Sequence, residues 1–225
     1  MTKRMILPLL FGLIGCAILL SLGTWQVQRL AWKEGILAEI EARLAADPTP
    51  LPLAGSEAQD EYKRVTLSGT PTGEELHVLA SGTSAGTGYR VVSKFLLGNG
   101  QPILVDLGLL PLDAKDAAPS TDFMQLTGTL LWPDDQNSST PEPDLDGNIW
   151  FARNVDTMSA LLDTRPLMVV ASTASPSDPR LTLLPIATAN IRNDHLQYAI
   201  TWFLLAAVWA GMTGYLLWRI RQRTV

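Results

Sequence analysis

One of the two histidines in the sequence lies where a polar segment meets a long apolar one. The stretch "RNDHLQYAITWF", residues 192–203, places His195 shortly before the rings of Tyr198 and Trp202. A neutral imidazole ligates iron or copper through a ring nitrogen. His195 is therefore a candidate metal ligand, with the two rings available to flank an amphipathic macrocycle. The alternative is an interfacial histidine that bridges water and lipid, a zone where polar residues cost little.

Catalytic groups are sparse in the rest of the sequence. Cys16 is the only cysteine, and the other histidine, His77, lies within the strand-like "ELHVLA". Nucleophilic catalysis needs a base next to its nucleophile, and a zinc site needs several His or Cys ligands. No glycine-rich nucleotide-binding pattern occurs. We therefore predict that the protein is not an enzyme, and that His77 is a surface residue or one with satisfied hydrogen bonds.

Two apolar segments are long enough to cross a membrane. Residues 5–23 and 196–218 contain no charged side chain, and about 20 helical residues span a hydrocarbon core of about 30 Å. The stretch "LIGC" resembles a lipoprotein cleavage site. Because the apolar run continues past Cys16, we predict an anchor rather than a cleaved signal.

Flanking charges predict the orientation of these spans. Basic residues in the tails 1–4 and 219–225 indicate that both tails are cytoplasmic, which places residues 24–195 on the opposite side. This central region holds all 22 acidic residues and 12 of the 17 Lys and Arg residues, a net charge of −10. That charge argues against binding nucleic acid or anionic lipid. We expect proteins or small molecules as its partners.

The central region reads as one helix followed by a β-rich domain. Apolar residues between Trp25 and Leu44 recur at helical spacing, and the proline-containing "PTPLPLAG" then predicts an extended linker. Short Val- and Leu-rich runs separated by turn residues follow. They are "EYKRVTLSG", "ELHVLAS", "GYRVVSKFLL", "QPILVDLGLL", "FMQLTGTLLW", "NIWFARN" and "RPLMVVAS". The predicted class is an α+β membrane protein, in which two transmembrane helices flank an antiparallel β-rich extracytoplasmic domain.

Four motifs together resemble the Surfeit-locus family, of Surf and Shy types, over essentially the whole chain. They are "GTWQVQRLAWK", "YKRVTLSG", "GYRVVSKFLL…ILVDLGLLP" and "RNDHLQYAITWF", in this order. The resemblance implies a factor that assists assembly of a haem-copper terminal oxidase, cytochrome c oxidase, by binding haem a and inserting it into subunit I. It also implies a bacterial inner-membrane location with a periplasmic central domain. Oxidase subunit I, the haem a synthesis machinery and the lipid bilayer are the implied partners.

The same resemblance assigns roles to individual residues. His195 matches the histidine proposed in the family as a haem ligand, and Arg29 follows the first span, where it could pair with a haem propionate. Alternatively, the Arg29 side chain only reaches toward the lipid headgroups. The remaining matched positions implied as cofactor-binding are Trp25, Tyr198 and Trp202, while Gln26, Arg90 and Thr201 also match family motifs.

One motif departs from the family pattern. Where the family commonly has an arginine and an aromatic residue, "LVDLGLLP" has Leu107 and Leu109. No site residue is therefore carried over from this turn, and a quinol oxidase is an alternative client. Two other functions stay open: a scaffold without a cofactor that stabilises immature oxidase subunits, and a membrane-anchored enzyme.

Overall fold

The computed structural model describes residues 3–188 and 191–223. The chain forms two compact units, one comprising Met1–Glu39 with Thr188–Val225 and the other Ile40–Ala187. Within the predicted tails and central region, residues 1–2, 189–190 and 224–225 lie outside the described part. In chain order the elements are α1 (Lys3–Ala45), β1 (Thr49–Pro50), α2 (Glu57–Asp60), β2 (Arg64–Thr83), β3 (Gly86–Leu97), β4 (Pro102–Pro111), a 3₁₀ turn (Leu112–Ala114), β5 (Met124–Leu131), β6 (Ile149–Trp150), α3 (Val155–Leu162), β7 (Arg165–Ser175) and α4 (His195–Gln222).

The first unit contains two helices that are long and apolar enough to cross a membrane. The candidate spans lie within Met5–Ala45 of α1 and at His195–Gln222 of α4. Helix α1 runs without a break through the apolar segment 5–23 and the helix predicted after it. The length and composition of these helices fit a two-pass membrane protein.

Small residues bring the two helices close together. A Cβ atom added at Gly12 would lie 2.1 Å from Thr213 Cγ2, and one at Gly23 would lie 2.6 Å from a ring carbon of Phe203. Between these points, the Cys16 thiol contacts the carbonyl oxygen of Ala206 at 3.9 Å. Without a hydrophobic effect to drive association in lipid, such close backbone approach favours helix pairing.

Five strands of the second unit pair in a closed ring. The order is β2-β3-β4-β7-β5, and β5 pairs again with β2. Strands β2, β3 and β4 follow one another as antiparallel neighbours, while β5 returns to lie beside β2. This is a Greek-key arrangement, and a five-stranded Greek-key barrel is the architecture of OB-fold domains.

The ring cannot be antiparallel throughout because it contains an odd number of strands. Four of its neighbouring pairs are antiparallel, as predicted, but β4 and β7 are parallel. The short strands β1 and β6 also pair with β2 in the parallel sense. The domain is therefore a mixed α/β unit with a mixed sheet rather than the antiparallel domain that we expected.

Alternating residues of the strands form two apolar clusters. One contains Phe95 and Ile103 with other side chains of the five strands. The other contains Leu104 and Met168 from the opposite faces of their strands, packed against Trp150 of β6 and against α3. Because successive side chains of a strand point to opposite faces, one sheet can contribute to both clusters.

Two sequence predictions about strands differ from the structure. The runs "EYKRVTLSG" and "ELHVLAS" belong to one long strand, β2, with a register irregularity between Pro71 and Glu75. In "NIWFARN" only Ile149 and Trp150 pair as a strand. Pro71 and Gly73, between the first two runs, coincide with the register irregularity but do not end the strand, an outcome that local turn residues do not distinguish.

Candidate functional site

His195 lies at the first position of α4 and contacts a glutamine of α1. Its Nδ1 atom is 2.7 Å from Gln26 Oε1. An amide oxygen only accepts hydrogen bonds, so Nδ1–H donates and the neutral ring keeps the lone pair of Nε2 free. In most metal sites that contain histidine, the ring nitrogen that does not bind the metal donates a hydrogen bond, and this bond orients the ring. The geometry thus leaves Nε2 as the ring nitrogen that does not take part in this contact.

The polar segment before α4 is held by ionic contacts rather than by side-chain capping. Asp194 occupies the N-cap position, but its side chain makes no capping hydrogen bond. It accepts instead from Arg192 Nε at 2.9 Å, and Lys33 of α1 donates to the Arg192 carbonyl oxygen. The Arg192 guanidinium binds the Asp194 carboxylate, and Asn193 Oδ1 is buried without a partner.

The predicted aromatic residues belong to the same unit as His195. Trp25 and Tyr198 each have 53% of their surface exposed, and Trp202 is half-buried. Trp25 precedes Gln26 on α1, and Tyr198 follows His195 by almost one helical turn. An exposed ring on each helix next to the hydrogen-bonded pair leaves apolar surface for a flat ligand.

Arg29 makes a contact that the sequence did not predict. Its guanidinium carbon lies 3.9 Å from the centre of the Trp32 ring, in a cation–π arrangement. Stacking uses the face of the guanidinium and leaves its N–H edge free to bind an anionic group. Both roles considered for Arg29, pairing with a propionate or with a lipid headgroup, are compatible with this position.

The donor set suits a haem better than a bare metal ion. Within residues 3–188 and 191–223, no group of three or more His, Cys, Asp or Glu side chains could hold a metal ion. A haem macrocycle supplies its own equatorial nitrogens and needs only an axial ligand from the protein. A single oriented imidazole beside exposed aromatic rings meets that requirement.

Gln26 contacts His195 in the candidate site, and the sequence did not predict this contact. The sequence marked it as part of a motif but not as a partner of His195. A signal was present, since Gln26 follows Gly23 by three residues and so continues the face of α1 that carries the interface glycines. A polar residue on the small-residue face of a membrane helix often bonds across to the next helix.

The second unit, Ile40–Ala187, is called the barrel unit below. A buried carboxylate in it binds two arginines. Asp106 is completely buried, and its Oδ2 atom accepts from Arg90 Nε at 2.7 Å and from Arg153 NH1 at 3.3 Å. Arg153 also binds Asp135 at 2.6 Å. Arg90, matched to a family motif, therefore belongs to an ionic network of the barrel unit. Its contacts there are sufficient to explain its presence.

His77 is also part of a buried network. Its Nε2 atom lies 3.0 Å from Glu75 Oε1, while Nδ1 is buried without a partner, so the ring is only half satisfied. Arg180 binds both oxygens of Glu75 at 3.2 Å and binds Asp178 at 2.8 Å. Burial raises the pKa of Glu75 and Asp178, but hydrogen bonds from these partners outweigh it and hold each pKa below its ordinary value.

The departure from the family pattern falls at a β-bulge. Between Asp106 and Leu109, β4 has one residue more than the facing segment of β3. Gly108 has a φ of +113°, and a Cβ atom there would lie 2.3 Å from the Thr182 carbonyl oxygen. Leu107 and Leu109 are both buried. At these two positions the chain therefore provides apolar packing and no cation.

Comparison with known proteins identifies the class to which this architecture belongs. The chain matches the SURF1 family model over residues 13–207. It is 30% identical to Surfeit locus protein 1 of Rattus norvegicus, with 88% of this chain and 71% of the rat protein aligned. It is also 30% identical to the Homo sapiens protein of the same name, with 83% of this chain and 70% of the human protein aligned. A SURF1-like protein of Drosophila melanogaster is 29% identical, with 91% of this chain and 76% of that protein aligned.

A sheet domain flanked in sequence by two apolar helices defines a membrane-associated class of protein. Within that class, the chain belongs to the SURF1 family, which confirms the resemblance seen in the motifs. Membership implies a role in cytochrome c oxidase assembly.

Proposed function

We propose that this protein is a haem a carrier that serves oxidase assembly. It would reside in the bacterial inner membrane with both termini in the cytoplasm and the barrel unit in the periplasm. It would hold haem a where the apolar span of α1 ends and α4 begins, and pass it to subunit I of the oxidase, without catalysing a reaction. The observation that supports this most is the 2.7 Å contact between His195 and Gln26.

Each residue of the site has a distinct task in this proposal. Nε2 of His195 would be the axial ligand, and Gln26 would fix the tautomer and orientation of the ring. Trp25, Tyr198 and Trp202 would cover the macrocycle with apolar surface. Arg29, held against Trp32, would bind a propionate through its free edge. The bound haem supplies no chemistry here, because it is cargo rather than a resident cofactor.

Haem titration of the full-length protein in nanodiscs tests the proposal. We expect His195→Ala to lose the absorption shift of the axially ligated haem. We expect Gln26→Leu to weaken haem binding by about tenfold, the usual cost of losing an outer-shell partner. Gln197→Leu is the matched control, because Gln197 is exposed and lies in the first turn of the same helix.

Equal haem content in the wild type and His195→Ala would remove His195 from the mechanism. A protein that binds no haem and still co-purifies with oxidase subunits would instead be a cofactor-free scaffold. If binding favours the haem of a quinol oxidase over haem a, the same site serves that alternative client.

A further inference from the structure

The helix pair contains an apolar groove that the site above does not use. Its volume is about 470 Å³. The groove belongs to the first unit alone, which is called the helical unit below. The walls of the groove carry no charged side chain. It is lined mainly by Gly15, Ile18 and Leu19 of α1 and by Leu205, Val208 and Met212 of α4.

Helical periodicity places residues that line the groove on the same sides of the two helices as the aromatic rings near His195. On α4, Tyr198, Leu205 and Met212 recur every seven residues. On α1, Ile18 and Trp25 have the same separation. Residues seven apart in a helix differ by only about 20° in direction. Each groove wall thus continues, one heptad along, into a residue proposed to cover the macrocycle.

The distance between the ligand position and the groove suits an extended hydrocarbon chain. Ten residues separate His195 from Leu205, which corresponds to about 15 Å at 1.5 Å per residue. Part of that distance is covered by the half-width of the macrocycle. The rest of that distance is within the reach of an extended farnesyl chain.

We propose that this groove binds the isoprenoid tail of a farnesylated haem whose iron is ligated by His195. The inference rests on the haem-carrier function proposed above and specifies its substrate class. Haem a and haem o carry a farnesyl tail, whereas haem b does not. Tail and groove are both apolar, so their association in lipid depends on close packing rather than on the hydrophobic effect.

The small residues of α1 explain why space exists at this depth. Gly15 lies against the indole of Trp209, and a Cβ atom there would lie 2.2 Å from Trp209 Nε1. The absence of a side chain at Gly15 leaves room for the indole against α1. The groove remains open beside it, between Ile18 and Leu205.

The test compares ferric haem b with ferric haem o, which share the iron porphyrin core and differ by the tail. Each is titrated into the full-length protein in nanodiscs, and binding is corrected for partition into empty nanodiscs. We expect the wild type to bind haem o about tenfold more tightly, since many weak contacts of the tail sum to an effect of this size. Both affinities are read from the absorption spectrum.

Two adjacent substitutions provide the matched comparison. Leu205→Trp fills the groove and should remove the preference for haem o, while Leu204→Trp, on the exposed surface away from the groove lining, should keep it. Val208→Trp, further along the groove, should act like Leu205→Trp. Alkylation of Cys16 reports whether the helix pair is intact in each variant.

The possible outcomes separate the two proposals. Equal affinity of the wild type for both haems would leave haem binding intact but overturn the groove assignment, and a lipid acyl chain would then be its occupant. Loss of the preference in Leu204→Trp as well would also overturn it, because the effect would not be local. Binding of neither haem would overturn the carrier function and the groove proposal together.

Discussion

The barrel unit and the helical unit satisfy their buried polar groups in different ways. In the barrel unit, buried carboxylates are enclosed by arginines, as Asp106 is by Arg90 and Arg153. In the helical unit, glycines and alanines make the close interhelical contacts, and the Gln26–His195 pair lies at one end. Polar side chains thus belong to the internal packing of the barrel, but the helices pack largely without them.

This difference indicates where function should be sought. Breaking a buried ion pair is strongly destabilising, so the arginines and carboxylates of the barrel are explained by the fold they maintain. The Gln26–His195 contact lies just outside the charge-free segments 5–23 and 196–218, in a zone where polar groups cost little, and it encloses no buried carboxylate. The Gln26–His195 pair therefore needs a functional explanation more than the denser ionic networks do.

The largest expected effect comes from removing the carboxylate between two arginines. Asp106→Ala should lower the free energy of unfolding of the barrel by about 3–5 kcal/mol, because Arg90 and Arg153 would lose a buried counter-charge. Chemical denaturation of the full-length protein in detergent, followed by circular dichroism in the β region, measures this. Asp116→Ala is the control, since Asp116 is exposed. Similar losses in both variants would mean that the buried network has no special role.

A smaller effect is expected from blocking the approach of the helices. Gly12→Ile should destabilise the helix pair by about 1–3 kcal/mol, the usual cost of overpacking, because its Cβ atom would overlap Thr213. The pair would open more often, and Cys16 should react roughly ten to a hundred times faster with a lipid-soluble maleimide.

Gly214→Ile supplies the control for this experiment, since a Cβ atom at Gly214 meets nothing within 4 Å. It should leave the Cys16 reaction rate unchanged. If both glycine variants react at the wild-type rate, close helix contact at Gly12 does not hold the pair together.

The smallest effect is expected from pH. The pKa values of Glu75 and Asp178 are held below their ordinary values of 4.5 and 3.8. Their contribution to stability is therefore fully present above these values and is lost as the pH falls through the lowered pKa values. Unfolding of the barrel measured between about pH 6 and pH 2 should show this loss. Glu75→Gln should reduce the slope, whereas the neighbouring, exposed Glu74→Gln should not.

The sequence predicted the local features of the fold and the helix-end histidine. Charge-free runs marked both apolar helices, and most strands followed from runs of Val and Leu between turn residues. It did not predict ring closure by β2 and β5, or the contact of Arg180 with Glu75, 105 residues away. Long-range pairing depends on how the whole chain packs, and local periodicity carries no information about it.

The candidate site was predicted only in part, because its contacts also depend on long-range packing. The polar-to-apolar border identified His195, but its partner Gln26 is 169 residues away. Arg29 was expected to pair with a propionate or a lipid headgroup, and its stacking on Trp32 depends on side-chain directions along α1. At Leu107 and Leu109 the sequence indicated only that an arginine and an aromatic residue of the family pattern are missing. The burial of both leucines in the barrel gives them a packing role.

The hydrogen bond between Gln26 and His195 joins two separate helices, so the state of the imidazole depends on the gap between them. An increase of about 1 Å takes a 2.7 Å contact outside hydrogen-bonding range. The ring then loses its preferred tautomer and its fixed direction, and it becomes a poorer ligand. In the proposed carrier, a client protein that separates α1 from α4 near this pair would weaken the hold on haem and favour its transfer.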